Sequence, residues 1–259
     1  MSKFIELLGK TREVAPEPLG FGTTRAPARN PSVILIGQAS AADIEKDPGL
    51  SKTDADAILL TMSSSNEKTT NNISKILKGQ VWGVRVGSIS EEQSMYLKEK
   101  GCDFVVFDPD NTAAGVLNDE DLGKVIVLSP DLEEEEGHAI NGLPVDSALY
   151  SPLESIQPLT VQKLIEIEMA RAMTGLMFIM SAPGDLAKAD IQALRNGGVA
   201  GLVIPLNKSD DIAKTKELIN ELPRRPEQNK RNLAAQAPAA GFAAFSSQNE
   251  PDEEEEEDF

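Results

Sequence analysis

The sequence predicts an eight-stranded parallel (β/α)8 barrel, also called a TIM barrel, and three observations support this fold class. Eight short apolar segments recur, mostly at intervals of roughly 20 to 25 residues, and most are continuous, as in parallel strands covered on both faces. Helical segments lie between them, which is typical of βαβ units. The first segment continues as IGQASAAD, which lacks the glycine pattern of dinucleotide-binding sheets. A closed barrel is therefore favoured over an open Rossmann-like sheet, which remains the alternative.

Each predicted strand is too short to be a buried helix. In chain order the strands are SVILIG (32–37), DAILLTM (56–62), VWGVRVG (81–87), FVVF (104–107), KVIVLS (124–129), VDSALYS (145–151), LMFIMS (176–181) and GLVIPL (201–206). Because aromatic residues make up only 4% of the chain, the core is expected to be mainly aliphatic.

The clearest helices between the strands have recognisable ends. Residues 90–101 begin with Ser90 and Gln93, the pattern of a capping box, and end at a glycine. Residues 160–175 begin at Thr160, also end at a glycine, and are predicted to carry an apolar set on one face. That set comprises Val161, Leu164, Ile165, Met169, Ala172 and Met173. The other predicted helices are 40–47, 71–78, 184–198 and 209–223.

The chain divides into three predicted parts: an N-terminal helix and connector over 1–31, the barrel over 32–223, and a tail over 224–259. Within the first part, residues 1–13 have the pattern of an amphipathic helix. Residues 14–31 are rich in Pro and Gly and read as a connector that could cover the barrel bottom. The tail combines basic, Ala/Pro-rich and acidic stretches, and we expect it to be disordered because it can bury little apolar surface.

Composition narrows the class of protein. The formal net charge of −17 disfavours nucleic acid as a partner, because its phosphates would be repelled. No apolar run approaches the length of a membrane span, and no signal-peptide pattern opens the chain. One cysteine and one histidine offer neither a disulfide framework nor a zinc site. These features predict a cytoplasmic protein with no membrane partner.

Barrels of this kind place catalytic and binding residues where the strands end and in the loops that follow. By this rule Arg85, Asp108 and Asp131 are the candidate catalytic residues. Asp108, Asp110 and Asp131 would supply the oxygen ligands that Mg²⁺ prefers, so they form the candidate metal site. Two alternatives stay open. The DPDN stretch at 108–111 is favourable turn sequence whose carboxylates could act as caps, and Arg85 could neutralise Asp108 inside the barrel.

Two residue types that often carry catalysis are placed less favourably. Cys102 precedes the fourth strand and therefore faces the barrel bottom, so we expect a small buried residue. His138 lies well after the fifth strand with no evident acid or base partner, so we expect a surface residue.

Residues 176–206, LMFIMSAPGDLAKADIQALRNGGVAGLVIPL, resemble the segment from strand seven to strand eight of phosphate-binding (β/α)8 barrels. This broad group includes thiamine-phosphate synthase-like and FMN-dependent nitronate monooxygenase-like enzymes. The resemblance implies an enzyme that acts on a small anionic, phosphorylated metabolite at the C-terminal face of the barrel. It also implies ligand binding by four residues, and a flavin as an alternative cofactor to Mg²⁺. The four residues are Ser181, Gly184, Asn207 and Lys208.

The chain departs from that group in ways that affect the phosphate site. Backbone N–H groups of glycines hold the phosphate in those barrels. Here Pro183 supplies no N–H and Asp185 adds negative charge after strand seven, while Pro205 and Leu206 replace the glycine after strand eight. A standard phosphate site is therefore doubtful on sequence grounds.

The end of the tail, DEEEEEDF, resembles the acidic tips of bacterial single-stranded-DNA-binding proteins, which recruit protein partners. The resemblance implies a protein partner bound through the tail, whereas a solubilising role is the plainer interpretation. Two functions therefore compete. The first is an enzyme acting on a small anionic metabolite, and the second is a non-catalytic barrel that serves as a ligand sensor or interaction scaffold.

Overall fold

The computed structural model describes five ranges of the chain, which are residues 1–12, 31–62, 67–153, 155–206 and 209–223. These ranges belong to one unit, Met1–Arg225. The predicted tail, 224–259, and nearly all of the predicted connector lie outside the described residues.

Eight parallel strands form a closed barrel in sequence order, and β8 pairs with β1 to complete it. The strands are β1 (Ile34–Ser40), β2 (Ala57–Met62), β3 (Trp82–Val86), β4 (Phe104–Phe107), β5 (Gly123–Leu128), β6 (Ser147–Tyr150), β7 (Met177–Ser181) and β8 (Val199–Pro205). Each overlaps one of the apolar segments, so the predicted (β/α)8 fold is confirmed. The pairing of β7 with β8 contains a register shift at Phe178/Ile179, as a β-bulge produces.

One helix precedes the first strand, and the others follow strands and cover the outside of the barrel. They are α1 (Lys3–Lys10), α2 (Ala41–Lys46), α3 (Glu67–Ile76), α4 (Glu91–Glu99), α5 (Glu134–Asn141), α6 (Val161–Thr174), α7 (Lys188–Asn196) and α8 (Ser209–Asn220). The connection from β4 to β5 consists of two short 3-10 turns without an α-helix. The predicted capping box is present at α4, where the Ser90 N–H donates to Gln93 Oε1 at 2.9 Å and the Gln93 N–H donates to Ser90 Oγ at 3.2 Å.

Alternation along the strands separates two apolar layers. In β4, Phe104 and Val106 belong to the cluster inside the barrel. Val105 and Phe107 belong to the larger cluster between the strands and the helices. Because successive side chains point to opposite faces of a strand, this division identifies the inward positions of every strand, and those positions define the site described below.

Helix α1 closes the N-terminal end of the barrel. Phe4 is fully buried in the interior cluster and its ring stacks on that of Phe104, with centroids 3.9 Å apart. Asp103 fixes the start of the helix, because it accepts hydrogen bonds from Ser2 Oγ and the Phe4 N–H, both at 2.7 Å. A Cβ at Gly123 would lie 2.7 Å from Ser2 Oγ and 2.9 Å from Phe104 Cβ. Glycine at this position therefore leaves room for α1.

Helix α6 turns a different face to the core from the one that the sequence predicted. Ile167 is buried, and Leu164 and Ala170 pack partly against the same core. Val161, Ile165 and Met169, which were expected on the buried face, are 74%, 48% and 55% exposed. Ala172, from the same predicted set, is also exposed. The expectation is wrong for these four residues because apolar residues occupy more than one face of this helix. Periodicity alone cannot then decide which face is buried.

Candidate functional site

The inward face of the barrel becomes polar at the C-terminal ends of the strands. Ile34 and Ile36 point inward on β1, so Gln38 two residues on shares their face. The same alternation brings further polar residues to this end: Asp108, after Phe104 and Val106 of β4, is exposed, whereas Thr61, Arg85, Ser151 and Ser181 are half-buried like Gln38. Gln38 and these four are called the mouth residues below. All five are half-buried, so their polar groups remain accessible from the open end of the barrel.

Arg85 is the one cation among the mouth residues. It is the register partner of Thr61 on the neighbouring strand, so the two side chains project from adjacent positions on one face. Within the described ranges, the Arg85 guanidinium makes no ion pair, and the pair with Asp108, which the sequence left open as an alternative, is not formed. A half-buried guanidinium without a carboxylate partner has donors to offer to an anion.

A cavity of about 520 Å³ opens beside the mouth between β1, β2, β8 and α2. Gln38, Thr61 and Pro205 line it from the barrel side, and Asp43 and Lys46 line it from α2. Asp43 is already engaged there, because its Oδ2 accepts a hydrogen bond from Ser40 Oγ at 2.7 Å. The volume lies within the range of small-molecule sites.

The carboxylates predicted for catalysis and metal binding do not converge. Asp108 accepts a hydrogen bond from the Asp110 N–H at 3.1 Å and begins a 3-10 turn, which is the capping alternative. Asp131 lines a separate cavity between β5, β6 and α6. Among the described residues, no group of three or more His, Cys, Asp or Glu side chains could hold a metal ion. Asp108, Asp110 and Asp131 therefore do not form such a group.

The ends of β7 and β8 differ from a phosphate site. Ser181 Oγ and Ser151 Oγ are hydrogen-bonded at 2.9 Å between the adjacent ends of β6 and β7. A Cβ at Gly184 would lie 2.7 Å from the Oδ2 of Asp211 on α8, so a carboxylate occupies the space beside this glycine. Asn207 and Lys208 lie outside the described residues, and their predicted roles stay predictions.

The second cavity has a volume of about 580 Å³ and lies outside the strands, against α6. Tyr150 forms part of its wall and stacks on Phe178, with ring centroids 5.8 Å apart. Burial raises the pKa of the Tyr150 hydroxyl, and the negative charge of Glu166 raises it further. Glu166 is therefore close enough to influence the groups in this cavity.

The two residues that the sequence placed away from catalysis are found as expected. Cys102 is buried, and burial raises the pKa of its thiol to about 12, so it is not a nucleophile at neutral pH. The side chain of His138 is 67% exposed, and its Nε2 lies 3.6 Å from Glu134 Oε1.

Gln38 and Thr61 were not among the predicted site residues, although a signal for them exists. In ILIGQAS and AILLTM, each polar residue falls two positions after an inward aliphatic residue, at the C-terminal end of its strand. Counting by two from the buried residues would have placed both at the mouth.

Among the described residues, no helix has the length and apolarity needed to cross a membrane. No protein-family model matches the chain, and no curated protein matches its sequence.

Solved structures do match the fold. The tryptophan synthase α-subunit of Pyrococcus furiosus aligns with a TM-score of 0.58 and 12% identity, over 73% of this chain and 97% of that one. The thiamine phosphate pyrophosphorylase of Pyrococcus furiosus aligns with a TM-score of 0.55 and 10% identity, over 74% and 97%. At these identities the likeness concerns the scaffold alone. The chain is thus a (β/α)8 barrel whose structural neighbours include enzymes.

Proposed function

We propose that the protein is an enzyme that binds a small organic anion at the C-terminal mouth of its barrel, with Arg85 as the anion-binding residue. The observation that carries the proposal is the position of Arg85. Arg85 is half-buried at the mouth, and its guanidinium has no ion-pair partner within the described ranges, in a chain with a net charge of −17. Such a chain offers many carboxylates, so an arginine kept apart from them is well suited to an anionic ligand.

The surroundings favour a carboxylate ligand over a phosphate ester. The first turn of α8 carries Asp210 and Asp211, and negative charge at a helix N-terminus competes with an incoming phosphate. Asp211 also fills the space beside Gly184, and Pro183 has no N–H to donate. The described part of this region therefore does not fit the phosphate group of a flavin mononucleotide. One guanidinium flanked by hydroxyl and amide groups suits a carboxylate, which it can bind through two parallel hydrogen bonds.

The test compares the wild-type protein with Arg85→Gln. Thermal shift and calorimetric titration would use a panel of small mono-, di- and tricarboxylates, with inorganic phosphate and a sugar phosphate alongside. We expect at least one carboxylate to stabilise the wild type. Its affinity should fall by roughly 30-fold in Arg85→Gln, because a charge-assisted hydrogen bond contributes about 2 kcal/mol.

Arg171→Gln is the matched control, because Arg171 is also half-buried but is paired with Glu168 on α6, away from the mouth. The control should bind the carboxylate as the wild type does. Equal affinity in the wild type and Arg85→Gln would show that Arg85 does not bind the anion. A preference for the phosphates over the carboxylates would contradict the proposed ligand class.

A ligand sensor is the second candidate, and one observation favours it. Asp43, which lines the cavity beside the mouth, and Asp108, which follows β4, are both engaged in capping interactions. A carboxylate held in this way is less available as a general base. A bound carboxylate recovered without chemical change after prolonged incubation would favour the sensor, whereas its conversion would favour the enzyme. Partner binding through the tail, 224–259, stays a prediction because those residues lie outside the described ranges.

A further inference from the structure

Helix α6 exposes an apolar stripe to solvent. Val161, Ile165 and Met169 recur every four residues and therefore lie along one face of the helix. They are 74%, 48% and 55% exposed, and Leu153 in the loop before the helix is 80% exposed. Single exposed apolar residues are ordinary on protein surfaces, but a contiguous set marks an interaction site.

A groove runs beside this stripe. The cavity of about 580 Å³ is formed by α6 and the loops that follow β5 and β6, and Met169 and Leu153 belong to both the groove and the stripe. Its wall includes the apolar side chains of Ile156 and Met173 and the ring of Tyr150. We call Leu153, Val161, Ile165, Met169 and the adjoining groove the α6 surface. Its methionines supply flexible contacts that adapt to another apolar surface.

The border of the α6 surface is acidic. Asp131 and Glu166 line the groove, and the first turn of α5, which packs against α6, carries Glu134, Glu135 and Glu136. Lys163 is the basic residue of the groove, and its ammonium group is directed to backbone carbonyls, at 2.7 Å from Ser155 O. An acidic border attracts a basic partner. A second copy of this chain would bring the same carboxylates and would be repelled.

We propose that the α6 surface binds a basic amphipathic helix of a partner protein. Its apolar face would lie along Val161, Ile165 and Met169 and insert side chains into the groove, in the helix-in-groove manner. Its basic residues would lie opposite Asp131 and Glu166. The groove shares no lining residue with the five mouth residues, so the two proposals can be tested separately.

The test uses a fluorescent peptide of about 18 residues, long enough to form an amphipathic helix. It is made of Leu and Lys, with the leucines on one helical face. A second peptide has the same composition in an order that destroys the apolar face. Fluorescence anisotropy would measure the affinity of both peptides for the wild type at low and high salt. We expect the amphipathic peptide to bind about tenfold more tightly than its scrambled counterpart.

The double variant Ile165→Ser/Met169→Ser should weaken binding of the amphipathic peptide by about tenfold, because apolar contacts at the centre of the surface are lost. Met95→Ser is the matched control, since Met95 on α4 is 48% exposed but lies outside the α6 surface. It should bind like the wild type. The variant Asp131→Asn/Glu166→Gln should weaken binding at low salt and reduce its salt dependence.

Three outcomes would overturn the proposal. The first is that the peptide does not bind. The second is equal binding of the two peptides, or of the wild type and Ile165→Ser/Met169→Ser, because either would show nonspecific attraction to an acidic protein. The third is self-association of the wild type in sedimentation velocity that Ile165→Ser/Met169→Ser abolishes, because a second copy would then be the occupant.

Discussion

The variant Val105→Asp is expected not to fold. Val105 is fully buried on β4, in the apolar layer between the barrel and its helices. An aspartate there would be an unpaired charge in a strand covered on both faces, at a cost of more than about 4 kcal/mol. This cost is a large part of the total stability of an ordinary domain. Circular dichroism during heating should show no cooperative transition for any protein recovered.

Val161→Asp is the matched control for this experiment. It is the same substitution, but Val161 is 74% exposed at the start of α6, so the new carboxylate stays in water. We expect it to melt within a few degrees of the wild type, because substitutions at such positions change stability by about 0.5 kcal/mol or less. A Val105→Asp protein that melts cooperatively near the wild-type temperature would contradict the assignment of β4 as a buried strand.

The second large effect is expected at the N-terminal end of the barrel, where Phe4→Ala should lower the free energy of unfolding by about 3–5 kcal/mol. The ring of Phe4 is fully buried against Phe104, and its removal leaves a void that the rigid strands cannot fill. Urea denaturation followed by circular dichroism would measure the change. Phe4→Leu restores most of the volume and should lose much less. If Phe4→Ala were as stable as Phe4→Leu, α1 would not be packed inside the barrel.

The strands could be predicted from the sequence because buried parallel strands consist of short, continuous apolar segments. The face of α6 could not. In a helix with apolar residues on several sides, the sequence does not indicate which side meets the core, and in the structure Ile167 is buried whereas Ile165 is exposed. The closure of the N-terminal end of the barrel by α1 was also not predicted, although the amphipathic pattern of residues 1–13 was recognised. Its docking depends on Asp103 and Gly123, which are far away in sequence.

The candidate site was predicted in part for a similar reason. Arg85 could be placed at the mouth because the end of a strand is a position that topology alone defines. Asp108 and Asp131 also follow strands, but loop geometry then turns one into a cap and places the other in a different cavity. The path of a loop cannot be inferred from the type and order of its residues in the way that the position of a strand end can. Gln38 and Thr61 required the inward register, which alternation can supply once one buried residue is assigned.

The contacts made by α1 have a consequence for the order of folding. The hydrogen bond between Ser2 Oγ and Asp103 joins residues 101 positions apart. Forming a contact between residues so far apart costs loop-closure entropy. The contact therefore stabilises the chain only after the intervening strands have assembled. We therefore expect α1 to dock after the folding transition state. Phe4→Ala should then accelerate unfolding and leave the refolding rate almost unchanged, which is the kinetic signature of an element that forms last.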